Sequence, residues 1–240
     1  MHLLVSDYDQ TLSMDDISFK INLLKLKQFR KQGNIFMLST GREYSSIKSE
    51  IGKWDIPCDY MSCGDGVALY DCDGKPLIHY HLNKNDLDYS TYLKLKYNSK
   101  IEITDINSGI DSFPDHRIIQ IKDVNYKNII LEIEKYFKQY LQYSDYIIKY
   151  NLICLIPKGI NKSTTIKFLE DKLKLPKSAI FTIGDHDNDA EMIRDYNGFT
   201  MLWGTKKAKQ YALKKYFLPA QLMSDIEKNR DSFQNILRYK

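Results

Sequence analysis

Short apolar runs that end abruptly in oxygen-rich polar clusters constrain this chain more than any other feature. Leu3–Ser6 gives way to Asp7-Tyr8-Asp9-Gln10-Thr11, and Ile35–Leu38 to Ser39-Thr40-Gly41-Arg42. Ala179–Ile183 gives way to Gly184-Asp185-His186-Asp187-Asn188-Asp189. Apolar runs this short, bounded by turn residues, have the length of buried strands rather than of helices. The stretches between them are helical in pattern. Residues 17–32 place Ile17, Ile21 and Leu24 on one expected face, Gly33-Asn34 closes that helix, and 43–52 forms a second. Strand–helix–strand units of this length imply a parallel sheet with right-handed crossovers.

A third strand at 60–62 leads into a hairpin, 67–70 and 77–81, with its turn at Asp73-Gly74. The pattern then changes. Helix, strand, strand, helix, strand, strand follow one another between 85 and 156, as expected of a small α+β unit. After Pro157 the α/β alternation resumes, with helices expected at 163–173, 190–195, 206–215 and 222–237 and strands at 179–183 and 199–202. The expected fold class is therefore α/β: a Rossmann-like parallel-sheet core, residues 1–82 and 157–240, with a small α+β cap domain inserted at 83–156.

Composition narrows the function classes. Of 240 residues, 35 are basic and 31 acidic, a net charge of +4 that is too balanced for a nucleic-acid binder. The basic excess gathers in 205–240 and reads as solvated helical faces. No apolar run approaches the ~18 residues of a membrane span, and the N-terminus lacks a signal-peptide pattern. A soluble, cytoplasmic protein without a membrane partner is expected. Cys58, Cys63, Cys72 and Cys154 have neither zinc-ribbon nor disulfide-framework spacing, and reduced, structural thiols are expected. His79 and His81 alternate on one strand face and imitate a metal pair, but no third ligand is near in sequence, so they read as hairpin residues.

The polar clusters carry the chemistry. Open α/β sheets bind ligands just past the carboxyl ends of their strands. Asp7 and Asp9, two residues apart at such an end, repel unless a cation or a proton relieves them. Thr40 and Gly41 offer a hydroxyl and backbone donors to an anion. Lys162 stands just ahead of a helix, and Asp185, Asn188 and Asp189 share one tight turn. Mg²⁺ prefers hard oxygen ligands and takes only one or two protein carboxylates. Paired acids, an acidic loop, a hydroxyl and a lysine together suit phosphoryl transfer, for which an Asp carboxylate can serve as nucleophile.

In order and position these clusters resemble the four motifs of the haloacid dehalogenase-like superfamily. The insert after the second motif, preceded by Gly64-Asp65-Gly66, resembles the Cof-type sugar-phosphatase branch. The resemblance spans nearly the whole chain and implies a Mg²⁺-dependent phosphomonoester hydrolase acting on a small phosphorylated metabolite, as a monomer or weak dimer. It implies that Asp7 attacks phosphorus and that Asp9 is the general acid and base. Thr40, Gly41, Lys162 and Asn188 would hold the phosphoryl group. Mg²⁺ would bind Asp7, the backbone carbonyl of Asp9, Asp185 and Asp189. Three departures stand out: Gln10 where Gly is common, Asp65 where Asn is usual, and Trp203-Gly204-Thr205 in place of a small-residue segment. Two other readings use the same scaffold: a phosphomutase, and a regulatory protein that binds phosphate or Mg²⁺ without turnover.

Overall fold

The structure is a computed structural model that describes residues 1–106 and 114–228. The first segment runs β1 (Leu3–Ser6), α1 (Asp16–Lys31), β2 (Ile35–Ser39), α2 (Tyr44–Trp54), β3 (Tyr60–Cys63), β4 (Ala68–Asp71) and β5 (Pro76–His79). Next come α3 (Lys84–Tyr97), β6 (Ile101–Ile106), β7 (His116–Ile121), α4 (Tyr126–Tyr140), β8 (Ser144–Lys149) and β9 (Leu152–Pro157). The chain continues with α5 (Lys162–Leu173), β10 (Ile180–Gly184), α6 (Ala190–Asp195), β11 (Asn197–Met201), α7 (Lys206–Tyr211), β12 (Lys215–Tyr216) and α8 (Pro219–Lys228). It divides into two compact units, Met1–Leu77 with Asn161–Lys240, and Ile78–Ile160. These limits lie a few residues from 82/83 and 156/157, the junctions expected from the change of pattern.

Among the described residues, the larger sheet has the order β12-β11-β10-β1-β2-β3-β4-β5. The pairs from β12 to β3 are parallel, and β4 returns antiparallel to β3. Strand order therefore reverses at β1: successive strands β2 and β3 lie on one side of it, β10, β11 and β12 on the other. At such a reversal the crossovers leave in opposite directions and open a crevice at the carboxyl ends. Asp7 follows β1 and Asp185 follows β10, so both sit at the reversal. Leu3, Leu4, Val5, Phe36, Met37, Leu38, Ile180 and Ile183 are all buried, so apart from Ser6, Ser39 and Thr182 the central strands are apolar, as suits a sheet covered on both faces.

Helix α1 starts where the Asp15 carboxylate accepts from the Ile17 and Ser18 amides, 3.0 Å each. Its buried face is not the expected one. Phe19, Leu23, Leu26 and Phe29 face the core, while Ile17, Ile21 and Leu24 are exposed. The sequence holds two apolar stripes, and the aromatic one has more area to bury. Phe19 packs edge-on to Tyr8 and Trp54, with centroids 6.1 and 5.3 Å away. The helix expected over 206–215 is also shorter. It ends at Tyr211, and Lys215–Tyr216 instead pairs with Thr200–Met201 of β11. The last helix covers 219–228; the rest of the expected 222–237 segment lies outside the described residues.

The second unit is a four-stranded antiparallel sheet, β6-β7-β9-β8, with α3 and α4 sharing its core. Leu87, Leu93, Ile119, Ile121, Ile133, Phe137, Ile153 and Leu155 fill that core. Arg117 is buried in it and fully used: Asp105 receives a bidentate pair at 2.5 and 2.8 Å, and the remaining nitrogen donates to the Leu87 carbonyl at 2.6 Å. This satisfaction makes a buried guanidinium tolerable. Tyr89 and Tyr92 of α3 meet Tyr136 and Tyr140 of α4 ring to ring, Tyr92 stacked on Tyr136 and Tyr140 tilted against Tyr89 and Tyr136. No helix of the described residues is long and apolar enough to cross a membrane.

Candidate active site

Four loops and one helix start build the site. Asp7 leaves β1 with its amide bonded to the Ile183 carbonyl of β10 at 2.9 Å. The loop folds back at once, Leu12 N to Asp7 O and Ser13 N to Tyr8 O. Lys162 is the first residue of α5, which opens with a reciprocal cap. The Asn161 side chain accepts from the Ser163 amide, and the Asn161 amide donates to the Thr164 hydroxyl. Gly66 lets the loop after β3 approach this helix start, because a Cβ there would lie 2.1 Å from the Asn161 carbonyl oxygen. Gly184 serves the same purpose beside Asp189, whose side chain an added Cβ would meet at 2.4 Å.

The Lys162 ammonium, wholly buried, bridges two carboxylates: Asp7 Oδ1 at 2.5 Å and Asp189 Oδ1 at 2.6 Å. The other Asp189 oxygen accepts from the backbone amides of Asp185 and His186, 2.9 Å each, so the turn after β10 is built around that side chain. Asp185 accepts from the Thr11 hydroxyl at 3.1 Å, and His186 Nδ1 lies 3.3 Å from its second oxygen. Asp7, Asp185 and Asp189 each place an oxygen within 4.8 Å of the others. Three buried carboxylates against one ammonium leave a formal deficit of two positive charges, the charge of a divalent ion. Burial, together with Asp189, pushes the Asp7 carboxyl up to about 8 despite the lowering effect of Lys162. Burial, with Asp189 adding to it, also raises Asp185. The donor set, all hard oxygen, fits a small divalent cation.

The remaining expected residues surround this centre in different ways. Thr40 is buried at the end of β2, where its hydroxyl accepts from the Arg42 amide at 3.1 Å and its carbonyl accepts from the Asp65 amide at 3.0 Å. Gly41 lies in the turn that follows. The Asn188 amide donates to Asp65 Oδ1 at 2.6 Å, joining the loop after β10 to the loop after β3. The Asp9 carboxylate is not part of the acidic cluster. It is half exposed and held by Arg42 through Nε at 2.9 Å and Nη2 at 2.5 Å. Arg42 in turn stacks over the Tyr8 ring, 4.9 Å from its centroid. Sequence reasoning assigned no role to Arg42 or Thr11. The signal available was position alone: each is two residues beyond a candidate site residue, Thr40 and Asp9 respectively.

The sequence profile of the haloacid dehalogenase-like hydrolases matches residues 4–108 and 90–216. The chain belongs to the haloacid dehalogenase-like hydrolases. Among solved structures it resembles one such hydrolase from Bacteroides thetaiotaomicron, at 16% identity and a TM-score of 0.79, with 94% of this chain and 99% of the other covered. It also resembles a HAD/COF-like hydrolase from Plasmodium vivax, at 16% identity and a TM-score of 0.80, covering 95% and 96%. A structure described as a HAD subclass IIB sugar phosphatase aligns at 12% identity and a TM-score of 0.74, covering 95% and 98%. No curated protein matches the sequence. The Cof-type arrangement of core and insert is thus the fold of this hydrolase.

Two of its departures from the family's habit meet in space. The Trp203 indole N–H donates to the Gln10 carbonyl at 3.0 Å. Gln10 has φ +60°, a left-handed position that glycine occupies without strain. Asp65, with φ +58°, is left-handed as well. Burial pushes the Cys58 thiol up to about 12 and the Cys63 thiol higher still, so neither is a nucleophile near neutrality. A candidate third ligand does stand beside His79 and His81 in space: Asp115, 34 residues beyond His81 in sequence, lies next to both of them in the second unit.

Proposed function

We propose that this hydrolase cleaves small phosphomonoesters, sugar phosphates among them, through a phosphoryl group carried transiently on Asp7. The observation that supports the reading most is the Asp7–Lys162–Asp189 bridge at the reversal of strand order. It presents a carboxylate nucleophile beside a fixed cation in a buried setting. Asp7, Asp185 and Asp189, with the backbone carbonyl of Asp9, would hold Mg²⁺, which when bound offsets the charge of the phosphoryl oxygens. The kinship in fold to a sugar phosphatase supports the substrate class.

A carboxylate oxygen of Asp7 forms its bond to phosphorus as the ester P–O bond breaks. Asp9 gives its proton to the departing alcohol oxygen, which requires it to leave Arg42. Asp9 then accepts a proton from water as the water oxygen attacks phosphorus, so inorganic phosphate departs and Asp7 is restored. Lys162, Thr40, Gly41 and Asn188 hold the phosphoryl oxygens, with Lys162 the one full positive charge among them. Phosphate release from an aryl phosphate and a sugar-phosphate panel tests this, run with Mg²⁺, with chelator and with Asp7→Asn. Release that needs Mg²⁺ and vanishes in Asp7→Asn is the expected result. Undiminished turnover by the variant would overturn the assignment of the nucleophile.

A further inference from the structure

We propose that His79, His81 and Asp115 form a second metal site, selective for a transition ion such as Zn²⁺, which fastens the entry of the inserted unit to the start of β7. The three residues come from two segments 34 residues apart. His79 ends β5 and His81 follows two positions on, a spacing that keeps both rings on one side of an extended chain. Asp115 immediately precedes β7. Backbone hydrogen bonds set both segments: Leu82 N donates to Pro114 O at 3.0 Å, and Asp115 N to Ile106 O at 2.8 Å. The ligand atoms are therefore placed by main-chain pairing rather than by loose side chains.

The geometry suits a small tetrahedral ion. Ligands at about 2.0–2.2 Å from a tetrahedral Zn²⁺ place neighbouring donors about 3.3–3.6 Å apart. Asp115 Oδ1 lies 2.9 Å from His79 Nε2 and 3.6 Å from His81 Nδ1, so the observed separations bracket that edge. All three donors fall within 4.8 Å of one another. The His79 and Asp115 side chains are 9% and 6% exposed, and His81 is 25% exposed. The His81 ring is the least buried of the three side chains, while its Nδ1 and the Asp115 Oδ1 are themselves buried. The chemistry of this cluster separates it from the Asp7 cluster. Two imidazoles and one carboxylate favour Zn²⁺ and its neighbours in the transition series, whereas an all-carboxylate set favours Mg²⁺.

The consequence is structural. An ion here cross-links the chain where it leaves β5 to the first strand after residues 107–113, with no reacting atom involved. The full chain, exchanged into metal-free buffer with excess Mg²⁺, is titrated with Zn²⁺, and separately with Co²⁺ to record its visible ligand-field bands. Wild type and Asp185→Asn should each take up a single tight equivalent of Zn²⁺, gain thermal stability from it, and show the intense bands of a low-coordinate Co²⁺ site. His81→Gln should lose affinity by on the order of 100-fold or more, above the effect of removing only a supporting partner. Its Mg²⁺-dependent phosphate release should persist. His81 is the most exposed of the three side chains, so its replacement should leave the fold intact, which circular dichroism of the variant will check. Should His79→Gln fail to fold, the His81→Gln titration and the wild-type Co²⁺ spectrum decide. Equal Zn²⁺ affinity in wild type and His81→Gln, or no tight Zn²⁺ in wild type, overturns the proposal.

Discussion

Burial pushes the Asp7 carboxyl up to about 8 even with the Lys162 ammonium 2.5 Å away, since Asp189 draws on the same cation. The consequence for stability has a definite sign. Without metal, the folded protein keeps the Asp7 proton over a range in which the unfolded chain, with its ordinary value of 3.8, has released it. Stability therefore falls as pH rises from about 4 to about 8. Asp7→Asn should flatten that slope and raise the melting temperature of the metal-free protein near pH 8, as denaturation followed across pH will show. A slope unchanged in Asp7→Asn would place the titrating group elsewhere. Gln10 supplies an independent test. A left-handed non-glycine residue costs about 1–2 kcal/mol, and glycine returns part of this through the unfolded chain. Gln10→Gly should accordingly be neutral or stabilise by up to about 1 kcal/mol in urea denaturation. A loss larger than that would mean the Gln10 side chain makes a contribution beyond its backbone.

At the scale of elements, the central strands were legible because a strand buried on both faces leaves a nearly continuous apolar run, and Leu3–Ser6, Ile35–Leu38 and Ala179–Ile183 are such runs, broken only by Ser6 and Thr182. Their ends located the chemistry for the same reason: polarity returns where the sheet stops. Helix α1 was harder, because Ile17/Ile21/Leu24 and Phe19/Leu23/Leu26/Phe29 both recur at helical spacing. Only packing against Tyr8 and Trp54 selects between them. Phe19→Ala should cost about 3–5 kcal/mol, while Ile17→Ala should stay within about 0.5 kcal/mol. Equal costs from equilibrium unfolding would contradict the observed burial. Lys215 falls within the helix expected over 206–215, because a two-residue strand has no period to detect. Its pairing with β11 is a tertiary contact. Asp115 beside His79 and His81, and Arg42 on Asp9, escaped notice for a related reason: contacts 33 to 36 residues apart leave no local signature.

At the scale of the whole molecule, the core is interrupted by the inserted unit, yet its two parts meet at the acidic cluster. Asp7 comes from the first part, and Lys162, Asp185 and Asp189 from the second. Metal bound there joins segments that lie more than half the chain apart, so it stabilises folded over unfolded protein by mass action, about 2.7 kcal/mol at a hundred times its dissociation constant. Mg²⁺ should raise the melting temperature of wild type clearly and that of Asp185→Asn little. An equal rise in both would remove Asp185 from the ligand set. The central claim is that Asp7 itself carries the phosphoryl group. Rapid-quench mixing of enzyme with a sugar phosphate or an aryl phosphate, followed by mass spectrometry of proteolytic fragments, tests this directly. A phosphoryl group on Asp7, formed and lost within one turnover and absent from Asp7→Asn, is the predicted result; turnover that persists in Asp7→Asn with no phosphoryl-enzyme in wild type would contradict it.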